Sequence, residues 1–130
     1  MNTAETGVVL PLALAALGGG AGSAARFLID RWVTARWRRD FPLGIFLVNL
    51  SGSFLLGLVV GSVLSTTWAA LLGTGVLGGY TTFSTASVDA VRLARSGRGG
   101  VALGYAVGTG CATIGAAMLG MWCGDRLSGV

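Results

Sequence analysis

The fold class this sequence predicts is an all-α integral membrane protein with four spans, the third broken near mid-membrane. Three observations predict it. Only 11% of the 130 residues are charged, where a soluble domain carries roughly a quarter. The apolar residues gather into four segments of about 20 residues, the length that crosses a bilayer as a helix. The third segment carries the run GTGVLGGYTTFSTASVDA over Gly73–Ala90, with five hydroxyls (Thr81, Thr82, Ser84, Thr85, Ser87) just after Gly78 and Gly79. Glycine, threonine and serine are poor residues for a helix interior, so Gly78–Thr82 is expected to unwind. Irregular backbone at that depth survives only when buried in protein or lining a wet cavity, and its free carbonyls and the N–H groups of the next half-helix are ready ion ligands. The competing expectation is a kinked helix whose hydroxyls bond back to carbonyls one turn earlier. Nothing divides residues 1–130 into more than one domain.

The spans are expected at Val8–Leu28, Leu43–Leu64, Trp68–Leu93 and Val101–Gly124. The first is too long for a signal peptide and is preceded by acidic, not basic, residues, so it reads as a span. It contains GGGAGSAARF (Gly18–Phe27), whose small residues allow another backbone close. Arg26, near its cytoplasmic end, either snorkels to the interface or faces a water-filled vestibule. The second span holds PLGIFLVNLSGSFLLG (Pro42–Gly57), with Pro42 in a helix first turn, where proline is tolerated. Asn49 and Ser53 share a face one turn apart. An asparagine in hydrocarbon must be bonded, so Asn49 is either inter-helical glue or a pore donor. On the fourth span Tyr105, Thr109 and Thr113 recur every four residues along one face. Gly104, Gly108, Ala112, Ala116 and Gly120 form a small-residue stripe beside them. Those hydroxyls are either a polar track at a subunit seam or satisfied by their own helix. Trp32, Trp37, Trp68 and Trp122 all fall near span ends, as interfacial anchors do.

Basic charge comes from arginine alone. Arg31, Arg36, Arg38, Arg39, Arg95 and Arg98, with Arg92 close by, lie on the side of the first and third connections; Arg126 stands alone on the other. The bias predicts both termini outside and the two basic loops in the cytoplasm. Arginines clustered at segment ends do not suit nucleic-acid binding. No nucleophile–base pair, histidine or phosphate-cradling loop is present, so the chain is not expected to be an enzyme. Cys111 and Cys123 lie about 18 Å apart along one helix, too far to pair, and read as inert thiols. Asp89, about two turns past the expected break, is the one acidic residue near a span interior. A proton-coupled exporter would use an embedded acid as its relay, and a small multidrug-type exchanger would need one in the first span, which has none. Hydroxyls, one amide, aromatic edges and backbone remain. They donate hydrogen bonds without fixed positive charge, as suits an anion that must bind and then leave.

GGGAGSAARF, then PLG…VNLSGSF, then LGGYTTFST on the third span, in that order and over the whole chain, resemble the Fluc (CrcB) fluoride channels. The resemblance implies a cell-membrane channel for passive fluoride efflux, built as an antiparallel dimer of four-span subunits with two anion pores. It implies a structural sodium ion on the two-fold axis, held by the backbone carbonyls of Gly78 and Thr81. It places Asn49, Phe83, Tyr105, Thr109, Thr113 and Arg26 along the fluoride pathway, with Thr85 contributing a hydroxyl. Phe83 would present its positive ring edge to the anion. Two positions depart from the pattern: Ala86 stands where a second phenylalanine is expected, and Ile45 where a threonine is usual. A homodimer of this kind needs a weak arginine bias, and this chain has a strong one. The favoured partner is therefore a related, oppositely inserted subunit supplying the missing ring. A partner subunit that has lost its own pore is the alternative.

Overall fold

A computed structural model describes residues 3–37 and 41–129; Arg38 and Arg39 of the basic connection lie outside the described residues. Every regular element among the described residues is helical. Helix α1 (Thr3–Arg36) runs through the end expected at Leu28. Nothing between Leu28 and Arg36 breaks a helix, and the Arg36 guanidinium stacks on the Trp32 ring at 3.9 Å one turn back. The charged residues at this end therefore extend the helix into the interface.

Helix α2 (Leu43–Gly61) follows Pro42 and ends three residues before the expected Leu64. Ser62 turns extended there (φ −87°, ψ 143°) while its N–H still bonds the Leu58 carbonyl at 3.0 Å. Its hydroxyl donates to the same carbonyl.

The third apolar segment is divided. Helix α3 runs through Thr66–Ala69, Ala70–Leu77 and Gly78–Tyr80, the middle stretch wound as a wide π-helix. Thr81 and Thr82 are extended (ψ 155° and 119°), and helix α4 (Phe83–Arg95) starts afresh. The residues off the helix are thus these two threonines, whereas Gly78 and Gly79 stay helical. The Thr81 N–H and hydroxyl both bond the Leu77 carbonyl at 3.0 Å, closing the last turn of α3. Gly97, with φ +80°, turns the chain into helix α5 (Gly99–Leu127), a conformation that other L-residues rarely adopt.

Three helices among the described residues, α1, α2 and α5, are long and apolar enough to cross a membrane. The protein is a multi-pass membrane protein. Two seams hold it together. Helix α2 lies along α5, and α1 along α3. Both are backbone-to-backbone. A Cβ added at Gly57 or Gly120 would meet the main chain at Ala117 or Phe54, and one at Gly22 or Gly79 the main chain at Val76 or Gly19. Without a hydrophobic drive between helices in lipid, such close approach is what association rests on. The Ser23 hydroxyl adds a bond to the Gly79 carbonyl at 3.2 Å across the α1–α3 seam.

Candidate functional site

The site grows from the two extended threonines. In an unbroken helix the Thr82 N–H would bond the Gly78 carbonyl, and the Thr85 N–H the Thr81 carbonyl. Here Asn49 on α2 takes the Thr82 main chain instead. Its Oδ1 accepts the Thr82 N–H at 2.7 Å and its Nδ2 donates to the Thr82 carbonyl at 2.8 Å. Both groups are buried, Asn49 with 7% and Thr82 with 8% of its surface exposed. Of the two expectations for Asn49, the geometry commits one donor and one acceptor to glue between α2 and the break; its second Nδ2 hydrogen remains.

The Thr85 N–H is diverted too, bonding the Thr82 hydroxyl at 3.2 Å, which caps α4. The Thr82 hydroxyl donates onward to the Thr85 hydroxyl at 3.1 Å and lies 3.2 Å from that of Ser84. The consequence falls on the carbonyls of Gly78 and Thr81, which both lose their helical donors.

In front of the break lies an open groove of about 470 Å³, lined among others by Asn49, Thr81, Thr82, Phe83, Tyr105, Thr109 and Thr113. It gathers most of the residues singled out by the sequence. Ser53, Ser87 and Ala86 also line it, and no charged side chain does. The hydroxyl track on α5 divides. The Thr113 hydroxyl bonds its own helix, at the carbonyls of Thr109 (2.9 Å) and Gly110 (3.0 Å). The Tyr105 and Thr109 hydroxyls are buried with no partner among the described residues. Tyr105 is 2% exposed, its ring held edge-to-face by Phe41 at 5.4 Å between centroids. Two unsatisfied hydroxyls in a buried wall are costly unless something enters to accept from them.

Phe83 stands out from the subunit with 88% of its surface exposed. Three residues lie elsewhere. Arg26 is half-buried on α1, outside the groove, Thr85 is held in the α4 cap, and Gly78 is exposed on α3. Thr82, clamped by Asn49 in the groove wall, is the residue that sequence reasoning named only as part of the break and did not single out. It sat among five similar hydroxyls, and its partner Asn49 is 33 residues away. Only the rule that a buried asparagine needs a partner could have found it.

Residues 13–121 match the family described as CrcB-like protein, Camphor Resistance (CrcB). The chain is 48% identical over 121 residues to the fluoride-specific ion channel FluC 1 of Leifsonia xyli subsp. xyli, covering 90% of this chain and 86% of that one. It is 43% identical over 115 residues to the fluoride-specific ion channel FluC 2 of Rhodococcus jostii, covering 88% and 96%. A FluC 2 channel of Bacillus cereus is 48% identical over 80 residues, covering 62% and 68%.

Proposed function

The chain belongs to the CrcB family, and from that premise we propose that it is a fluoride channel subunit through which cytoplasmic fluoride leaves the cell passively. Its relatives are ion channels, and the chain is not an enzyme. One observation carries the reading: a groove free of charged side chains, lined by two buried, unpartnered hydroxyls and by Phe83. Neutral donors and a ring edge replace the hydration of a small anion without trapping it, as a fixed arginine would. Fluoride that enters an acidified cell as HF ionises in the more alkaline cytoplasm and is held there as the anion. A selective path lets it run out down its gradient, helped by an inside-negative potential.

In this reading α3 and α4 together make the third of four crossings, and two subunits pair antiparallel across the break, in the inner membrane with termini outside. Exposed Phe83 and exposed Gly78 support a second subunit there. The carbonyls of Gly78 and Thr81, without their helical donors, are the hard oxygen ligands that sodium takes, and they would hold it. Bound, it would neutralise carbonyl dipoles where two breaks cross. Arginine bias and Ala86 favour a related, oppositely inserted partner that supplies the missing ring over a second copy.

The test is fluoride efflux from liposomes carrying the assembled channel. Phe83→Ile should leave each subunit folded, because this side chain makes little contact within it, and should cut fluoride flux more than tenfold in complexes that keep their size. Unchanged flux would leave this chain a scaffold and end its role as a pore-lining subunit. Glycines 78 and 79 should separate assembly from folding. A Cβ at Gly79 would press on the Gly19 main chain, whereas one at Gly78 would come no nearer than 3.6 Å to the Gly73 carbonyl oxygen. Gly79→Ala is expected to destabilise the subunit by about 1–3 kcal/mol. Gly78→Val should leave the subunit folded and weaken its pairing, read by size-exclusion chromatography.

A further inference from the structure

Tyr80, the last residue of α3, is held from two helices. On the α1 side, a Cβ added at Gly22 would meet the Tyr80 main-chain nitrogen at 2.9 Å. On the α2 side, a Cβ added at Gly52 would meet the Tyr80 ring, its nearest carbon at 2.9 Å, and the Thr81 methyl. The ring and the methyl thus share the space that a side chain at Gly52 would fill.

Beyond Gly52 the ring ends in a hydrogen bond. The Tyr80 hydroxyl lies 3.1 Å from that of Ser51 on α2. Its direction follows from the partner. Ser51 has one hydroxyl hydrogen, and it goes to its own helix, at 2.7 Å from the Leu47 carbonyl and 3.2 Å from that of Val48. Ser51 is left to accept, so Tyr80 donates. The pair lines a groove of about 580 Å³, distinct from the one in front of the break, and no other polar side chain lines it among the described residues. A phenol hydroxyl in such apolar surroundings is costly unless bonded.

Asn49, Ser51 and Gly52 fall within four consecutive residues of α2. Asn49 pins Thr82 on the far side of the break, while Ser51 and Gly52 hold Tyr80 and Thr81 on the near side. One stretch of one helix therefore sets both ends of the interruption. Thr81, between the two holds, lines the groove in front of the break. We infer that Tyr80 is a positioning residue for the anion path: its hydroxyl, donated to Ser51, fixes the end of α3 against α2 and so sets where Thr81 stands in the groove wall. This rests on the fluoride reading. Tyr80 is not among the residues lining that groove and acts through Thr81. The property at stake is selectivity, because a wall free to shift admits the larger chloride before it impedes fluoride.

Tyr80→Phe removes the donor and keeps the ring on Gly52; Ser51→Ala removes the acceptor. Both variants and their combination are made in the full-length chain, purified as they assemble from membranes, sized by chromatography and melted in detergent. Fluoride and chloride efflux are then read from the same liposomes. The inference expects each single variant to keep its size and to lower the ratio of fluoride to chloride flux by about threefold or more, the scale of one hydrogen bond between membrane helices. The double variant should fall no further than the worse single, because both remove the same bond. An unchanged ratio in Tyr80→Phe, whatever its melting temperature, makes the bond merely structural and overturns the inference while leaving the fluoride channel standing. Losses that multiply in the double variant overturn it as well, since the two hydroxyls then act apart. Complexes that come apart in Tyr80→Phe assign the hydroxyl to subunit pairing and overturn it equally. An unmodified channel that passes no fluoride overturns the positioning role and the functional reading together.

Discussion

Asn49→Ala should be among the most damaging single changes in this chain, lowering subunit stability by about 2–6 kcal/mol and removing fluoride flux. The side chain carries no charge. Its effect comes from its two bonds, at 2.7 and 2.8 Å, to the N–H and carbonyl of Thr82. Both ends are buried, so truncation leaves two main-chain groups unsatisfied, each costing about 1–3 kcal/mol. The chain has an escape that a soluble protein would lack. It can rewind Thr81 and Thr82 into helix and return the Thr82 N–H to the Gly78 carbonyl, which repairs the backbone and closes the break. Stability would then fall toward the low end of that range while conduction is lost entirely. Thermal unfolding in detergent, read beside efflux from liposomes, separates the two outcomes. Asn49→Asp sharpens the test: it keeps an acceptor for the Thr82 N–H, lacks the donor for the carbonyl, and places negative charge beside the groove. It should be more stable than the alanine variant yet equally unable to pass an anion. Wild-type flux from Asn49→Ala would remove the clamp from the account.

How much of this was visible in the residues depends on the range of each interaction. The runs that become α1, α2 and α5 are legible because lipid imposes one demand, about 20 apolar residues, on every crossing. Their ends are less so. Arg31 and Arg36 look like loop residues by composition, yet Trp32 under the Arg36 guanidinium carries the helix on to Arg36. Glycine and hydroxyl content marked Gly78–Thr82 as a weak place for a helix. Which residues leave it is a different question, settled by Asn49 reaching across from α2 and therefore absent from the local sequence. The Tyr105–Thr109–Thr113 stripe shows the same limit. Spacing puts all three on one face, but whether a hydroxyl turns back to its own carbonyl is a matter of rotamer and neighbours. Thr113 does so and Thr109 does not.

Gly57→Val and Gly120→Val should each cost more than the usual 1–3 kcal/mol of overpacking, because what they strike cannot move aside. A Cβ at either position meets a main-chain oxygen of the opposing helix, Ala117 or Phe54, and main chain yields only by separating the helices. The two sites are reciprocal, a glycine on α2 facing α5 and a glycine on α5 facing α2. The seam therefore carries its own control. If each valine levers the same pair of helices apart, the double variant should lose less than the sum of the singles, since the second side chain enters a gap the first has opened. Gly20→Ala provides the baseline. Its Cβ meets nothing within 4 Å, and it should stay within about 0.5 kcal/mol of the parent. The seam also bears on conduction. Asn49, on α2, and Tyr105 and Thr109, on α5, line the same groove, so a wider seam moves the Thr82 clamp away from the two unpartnered hydroxyls. Fluoride selectivity over chloride is thus expected to fall in Gly57→Val before assembly is lost, measured as the ratio of the two effluxes from the same liposomes. Equal stability of Gly57→Val and Gly20→Ala would mean that α2 and α5 are held by something other than backbone contact.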